Sequence, residues 1–331
     1  MKIGFIGLGQ MGKPMAMNLR RNGVELMVHV RKTPTPDWET AGIAVTRQLR
    51  DIARCEIIFL CLPDTHVVTE VLLHENGIAE SLSPGQIICD FSTIDYQASI
   101  TIAEKLAARA VEYLDAPISG MEARAIDGTL TIMCGGKKPI FDKLLPFLRF
   151  MGTNILYMGP SGCGQLTKAI NNTLFDINMA ALAEILPVAA KLGLDPGLIG
   201  SVINSSSGRS FASEFFIPRI LSGNFGDGYP LEKAYKDLVS IASLSANLCL
   251  PLPVTHAATT TYQMAMLQGL GDKDKGAMTC LFETLAGVKF RQGEGAVSAT
   301  GDKNPAAPAC ESNVRPASSQ SGNSQTAGQT K

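Results

Sequence analysis

Lys168 and Asn172 stand four residues apart in the run Gly-Gln-Leu-Thr-Lys-Ala-Ile-Asn-Asn at 164–172. Residues i and i+4 share one face of a helix. An ammonium that can give or take a proton and a carboxamide that can orient a ligand would then point the same way. Far upstream, Gly7-Leu-Gly9-Gln10-Met11-Gly12 follows the apolar run 3–6 directly and opens a helical pattern that ends near Arg21. In a dinucleotide fold the first glycine permits a tight turn, the second lets a pyrophosphate approach, and the third lets helix pack on strand. The N–H groups of the loop, Gln10 and Met11 included, and of the helix start would face the phosphates. A merely structural glycine turn has the same residues. Its place at the first strand, with a second strand at 26–30, favours the dinucleotide.

These residues need elements to hold them. Runs at 2–8, 26–30, 57–62, 87–91, 111–115, 130–134 and 155–158 read as strands, with helical patterns between several of them, as at 10–21 and 96–108. Near-continuous apolar strands alternating with helices indicate a largely parallel, doubly wound sheet. The later, closely spaced strands suggest an antiparallel or mixed edge. After Gly-Pro-Ser-Gly-Cys-Gly at 159–164 the pattern becomes helical throughout, beginning with a long glycine-free run from Gln165 to Lys191. Pro187 is expected to kink that run or end its regular hydrogen bonding. The fold class is therefore α/β: an N-terminal Rossmann domain at 1–162 joined through a long helix to an all-α domain at 163–291. Residues 292–331 contain no Leu, Ile, Phe, Tyr or Trp and read as a disordered tail with Cys310 exposed in it.

Composition removes several classes of function. The 331 residues carry a net charge of −1 and no basic run, so neither nucleic acid nor an anionic membrane is an expected partner. The longest apolar stretches, such as 57–62 and 180–190, are too short to span a bilayer. A strand-like segment begins at once, leaving no room for a signal peptide. The eight cysteines are scattered without a Cys-x-x-Cys pair, which fits reduced thiols and a cytoplasmic location. His29, His66, His74 and His256 show no metal-ligand spacing, and no metal is expected.

Strand ends refine the cofactor. A site selective for NAD usually places an acid on the ribose 2′-hydroxyl at the end of the second strand. Here that strand continues Arg31-Lys32-Thr33, and the first acid is Asp37. Two cations and a hydroxyl suit a 2′-phosphate, so NADP is expected, with NAD the alternative and a solvated basic turn the bland reading. Leu62-Pro63-Asp64 and Asp90-Phe91-Ser92-Thr93 end two further strands at the same crevice. Pro63 can press on the nicotinamide, and Ser92 or Thr93 can bond its carboxamide.

With these motifs in order, the chain resembles the β-hydroxyacid dehydrogenase family over residues 1 to about 290. Gly7–Leu19 matches the family's cofactor signature, Asp115-Ala-Pro-Ile-Ser119-Gly120-Met121 resembles DAPVSGG, 164–172 resembles GxxxKxxNN, and Lys236-Asp237-Leu238 resembles KDL. The resemblance implies NAD(P)-linked interconversion of a 3-hydroxy acid with its semialdehyde. It gives Lys168 the part of proton donor and acceptor and Asn172 that of orienting the substrate. Ser119 and Gly120 would hold the carboxylate, and Lys236 would lie by the cofactor. A depressed pKa would let Lys168 work near neutrality, with Lys236 a candidate second cation to supply it. Asp237 would touch substrate or pair with Lys233 or Lys236, and Asp176 reads as structural. Met121 stands where the family has a second glycine, so the pocket there is expected to be narrower or redirected.

The small carboxylate substrate is thus the expected partner, along with a second copy of the chain. The helix after Gln165 is apolar on more than one side through Ile170, Leu174, Ile177, Met179, Leu182 and Ile185. The resemblance places such a helix against another subunit, giving a homodimer or homotetramer. Three other readings share the cofactor loop. A 6-phosphogluconate-type enzyme needs a larger helical domain and a cation cluster, an imine reductase generally lacks the lysine, and a catalytically silent NADP-binding module is marked by its loss.

Overall fold

A computed structural model describes residues 2–31, 38, 40–226 and 228–292. Lys32, Thr33, Asp37 and the stretch 293–331 lie outside the described residues, and so does the expectation of a disordered tail there.

The first half forms one mixed sheet. Its elements run β1 (Ile3–Ile6), α1 (Gly12–Arg21), β2 (Leu26–His29), β3 (Ala44–Thr46), α2 (Leu49–Ile52), β4 (Ile57–Leu60), α3 (Thr65–Leu73), β5 (Ile87–Asp90), α4 (Tyr96–Ala107), β6 (Glu112–Asp115), β7 (Ile118–Ser119), α5 (Met121–Asp127), β8 (Leu130–Gly136), α6 (Lys138–Leu148) and β9 (Gly152–Gly159). The strand order is β3-β2-β1-β4-β5-β6-β8-β7, with β9 paired to β8. β1 to β6 are mutually parallel. β8 runs antiparallel to β6 and β7, which gives the mixed edge expected from the spacing. β1, β4 and β5 are buried at every position, as strands covered on both faces must be.

Strands β3 and β7 were not among the expected elements. β3 has three residues and β7 two, too short for an alternation to register. β6 and β7 lie in line along β8: Asp115 faces Gly135 and Ser119 faces Thr131 in one continuous register. Ser119 is thereby carried past the carboxyl end of β6.

The second half is helical: α7 (Cys163–Lys191), α8 (Pro196–Ser205), α9 (Phe211–Ser222), α10 (Leu231–Asn247), α11 (Pro253–Leu267) and α12 (Met278–Ala286). α7 packs against α9, α10, α11 and α12 and against β8 of the sheet. Its Met179, Ala183 and Leu186 meet Phe216, Ile217, Leu238, Tyr262 and Met278 in a core separate from the sheet's. Pro187 does not end the helix, which continues to Lys191. The missing proline N–H removes one hydrogen bond, and the ring is buried in the packing instead.

By length and composition α7 is also apolar enough to cross a membrane, contrary to the expectation from the longest apolar stretches. Polar residues spread along it hide this from a count of runs. In this chain 44% of the most apolar window is buried within the fold. Of the residues read as apolar on several sides, Met179 and Leu182 are buried, whereas Ile170, Leu174 and Ile185 are exposed.

Candidate functional site

Gly7 closes β1 with φ +98°, and a Cβ added there would lie 2.2 Å from the Cys61 carbonyl oxygen. At Gly12 it would lie 1.8 Å from the Gly7 carbonyl oxygen. Strand, loop and α1 are therefore packed backbone against backbone. Gly9 is different: an added Cβ meets nothing within 4 Å, and the residue is exposed. That is the open approach a pyrophosphate requires. α1 has Met11 at its N-cap and no side-chain cap hydrogen bond, where an anion can substitute for one. β1 lies between β2 and β4, so the crevice at the reversal of strand order opens at this loop. The residues fit a dinucleotide. Gln10 turns aside from it, its Nε2 donating to Glu122 Oε2 at 2.7 Å and tying the loop to α5.

Arg31 is exposed at the end of β2. Arg47 follows β3, which is parallel to β2 with His29 opposite Thr46, so Arg47 emerges at the same carboxyl edge. The His29 imidazole hydrogen-bonds the Arg47 backbone, while burial holds it below its ordinary pKa. Sequence reading missed Arg47 because it missed β3.

At the next crevice wall, the Leu62 N–H donates to Ser92 Oγ at 2.8 Å, and the Ser92 N–H donates to Asp90 Oδ1 at 2.9 Å. Ser92 is buried, so it ties β4 to β5 and is not displayed to a carboxamide. This corrects one of the two alternatives, and leaves Thr93. Thr93 lines a cleft of about 430 Å³ with Asp64, Gln165, Ala169, Lys236 and Asp237. Lys236 Nζ donates to the Pro63 carbonyl at 3.2 Å, bridging from α10 to the end of β4.

Asp115 sets where α7 begins. Its Oδ1 accepts the Gly162 N–H at 2.7 Å and its Oδ2 accepts the Gln165 N–H at 3.0 Å. Burial raises its pKa to about 6 despite these bonds. Gln165 then reaches the end of β5, donating to the Ser92 carbonyl at 2.8 Å and accepting the Ile94 N–H at 3.1 Å. One buried amide thus fixes the helix that carries Lys168 against the loop that carries Thr93, and no motif had singled it out. From Asp115 the chain also continues through β7 to Ser119 and Gly120. Gly120 has φ +142° and Met121 φ +61°. A left-handed methionine costs roughly 1 kcal/mol. The residue is 42% exposed, so its side chain is not enclosed within the fold.

Lys168 is partly buried on α7. Desolvation lowers its pKa to about 8, the Asp237 carboxylate works against that, Lys275 adds to it, and Asp176 opposes it. Asn172 Nδ2 donates to Asp237 Oδ2 at 2.8 Å, so Asp237 pairs with the amide and with neither Lys233 nor Lys236. The second cation acting on Lys168 is Lys275, which replaces Lys236 in that part.

The comparisons with known proteins agree with this arrangement. Residues 2–159 match the profile described as the NAD-binding domain of 6-phosphogluconate dehydrogenase, and residues 162–282 that described as NAD-binding of NADP-dependent 3-hydroxyisobutyrate dehydrogenase. The chain is 35% identical over 296 residues to 2-(hydroxymethyl)glutarate dehydrogenase of Eubacterium barkeri, covering 88% of this chain and 98% of that one. It is 33% identical over 291 residues to 2-hydroxy-3-oxopropionate reductase of Escherichia coli, covering 88% and 100%. The crystal structure of 3-hydroxyisobutyrate dehydrogenase from Salmonella typhimurium superposes with a TM-score of 0.76 at 26% identity, covering 85% of this chain and 99% of that one. The chain belongs to the β-hydroxyacid dehydrogenase family of NAD(P)-dependent oxidoreductases.

Proposed function

We propose that this enzyme interconverts a small 3-hydroxy carboxylate with its semialdehyde, with Lys168 as the group that gives and takes the proton. The supporting observation is the placement of Lys168: partly buried, with a pKa lowered to about 8, on the helix face that also presents Asn172. The cofactor, when bound, supplies or accepts the hydride. In reduction, the Lys168 ammonium donates its proton to the carbonyl oxygen as that oxygen gains negative charge; in oxidation, the neutral amine takes the hydroxyl proton. Asp237 holds one N–H of Asn172, which fixes the amide and leaves its oxygen and second N–H for substrate. Ser119 and the backbone of Gly120 receive the carboxylate, and the exposed Met121 next in the chain influences which substituent is admitted. A panel of 2-(hydroxymethyl)glutarate, 3-hydroxyisobutyrate and 2-hydroxy-3-oxopropionate, each assayed with both cofactors, tests this reading. Turnover of none of them, nor of related semialdehydes, would sink it.

NADP is the cofactor this reading prefers, on Arg31 and Arg47 at the carboxyl edge of β2 and β3. Arg31→Ala should raise the KM for NADPH about tenfold or more, the scale of one lost charge-assisted contact, while the KM for NADH stays nearly constant. Equal effects on both cofactors would make Arg31 a bystander.

The exposed Ile170, Leu174 and Ile185 on α7, joined by Val188, suit burial against a second copy of the chain. The expected species is a homodimer or homotetramer, and a monomeric mass by light scattering at micromolar concentration would rule it out.

A further inference from the structure

Asp176 follows Asn172 by one helical turn and Lys168 by two, so all three lie along one face of α7. Its carboxylate is fully buried and forms an ion pair through Oδ1 with Lys275, which is 4% exposed. The same oxygen accepts the Tyr262 hydroxyl at 3.0 Å. Oδ2 has no hydrogen-bond partner among the described residues. The Lys275 ammonium also sits 4.2 Å from the centroid of the Phe175 ring. Lys275 begins the short 3-10 turn Lys275–Ala277, which leads into α12.

A buried pair of this kind is a poor way to hold a fold together. Desolvating two charges offsets most of their attraction, and apolar residues of like volume commonly do as well. Its location is the informative part. The charged and titratable groups around Lys168 are Asp176 on its own helix, Asp237 from α10 and Lys275 from the turn before α12. Tyr262 of α11 and Tyr229 from the loop before α10 face the same carboxylates. Two ammonium groups thus stand among two carboxylates where little water screens them.

We propose that Asp176 and Lys275, a buried ion pair two helical turns along the face of α7 that carries Lys168, are positioning residues for proton transfer at that lysine. The proposal rests on the reading of Lys168 as the proton donor. Lys275 disfavours the Lys168 ammonium and Asp176 favours it, with Lys275 the stronger of the two. Kept together, they oppose one another, while desolvation brings the lysine's proton exchange close to neutrality. Removing one partner unbalances the site in a known direction.

The experiment titrates Lys168 directly in the full chain with NADPH bound, by NMR of protein labelled with 13C at the lysine ε-carbon, using Lys168→Arg to assign the resonance. The pH profile of kcat/KM is recorded in parallel, and thermal melting confirms that each variant is folded. Lys275→Met should raise the Lys168 midpoint by about one pH unit, and Asp176→Asn should lower it by a similar amount. A rise of about one unit reduces the neutral amine at pH 7 about tenfold, and oxidation at that pH falls with it. Lys275→Arg keeps the charge and should leave the midpoint near its native value. If a single variant does not fold, the double variant Asp176→Asn/Lys275→Gln, which buries no uncompensated charge, supplies the comparison. Because Lys275 outweighs Asp176, its midpoint should lie above the native one. A midpoint that stays put, or that moves the same way in both single variants, overturns the proposal. A midpoint that moves while the rate profile does not would leave the pair's influence standing and remove Lys168 from proton transfer.

Discussion

Lys168→Ala should lower kcat on the order of 10³-fold, about 4 kcal/mol of transition-state stabilisation, while NADPH binds with nearly unchanged affinity. General acid–base catalysis by one placed group contributes about 10² to 10⁴ in rate. The middle of that range is taken here, because burial has already brought the lysine's pKa to about 8. Cofactor affinity is expected to hold because the nucleotide loop packs on Cys61 and on its own backbone, and none of those contacts involves α7. The pH dependence has a definite sign. Reduction needs the ammonium, so kcat/KM should fall as pH rises above about 8; oxidation needs the amine and should rise through the same value. Folding holds Lys168 below its ordinary pKa, so the folded chain binds fewer protons than the unfolded one between about 8 and the ordinary lysine value of 10.5. The lysine is therefore a stability cost at neutral pH, relieved as pH rises through that window. Lys168→Met should accordingly melt higher than the native protein at pH 7 while turning over poorly. Turnover within tenfold of native in either variant would remove Lys168 from the proton-transfer step.

The residues that carried most information in the sequence were those whose role is local. A glycine loop between a strand and a helix is a short-range pattern, and Lys168 with Asn172 is a spacing on one helix. Both survive in the structure because neighbouring residues dictate them. Strands such as Ile57–Leu60 were legible for a related reason: burial on both faces writes an unbroken apolar run. What stayed hidden depends on partners far away in sequence. Asp176 and Lys275 are 99 residues apart, so Asp176 could be read as structural without its partner being visible. Ser92 looked available until its hydroxyl proved to accept the Leu62 N–H. Asp115 read as part of a substrate motif, yet its carboxylate is spent on the first N–H groups of α7. Arg47 was out of sight because a three-residue strand has no period to detect.

Two glycines of the nucleotide loop should respond differently to the same change, and the contrast separates binding from folding. At Gly12 the added methyl would sit 1.8 Å from the Gly7 carbonyl oxygen and 3.0 Å from its carbon, both backbone atoms. Backbone cannot rotate away as a side chain can, so Gly12→Ala must push α1 off the β1 turn. A lower melting temperature and a loss of dinucleotide binding are expected together. At Gly9 the same methyl meets no protein atom within 4 Å, and φ lies outside the left-handed region. Gly9→Ala should therefore melt at or slightly above the native temperature, since alanine restricts the unfolded chain more than glycine does. Its cost appears only when the pyrophosphate approaches, as a rise in the NADPH dissociation constant of roughly 10²-fold, about 2.7 kcal/mol. Isothermal titration for affinity and calorimetry for melting give the two numbers on the same preparations. If Gly9→Ala binds NADPH normally, the phosphates do not pass over this loop, and the open space above Gly9 belongs to something else. If Gly9→Ala and Gly12→Ala lose affinity and stability in equal proportion, the loop is a structural turn whose effect on the cofactor is indirect. Only a loss of affinity without a loss of stability at Gly9 places the ligand against that backbone.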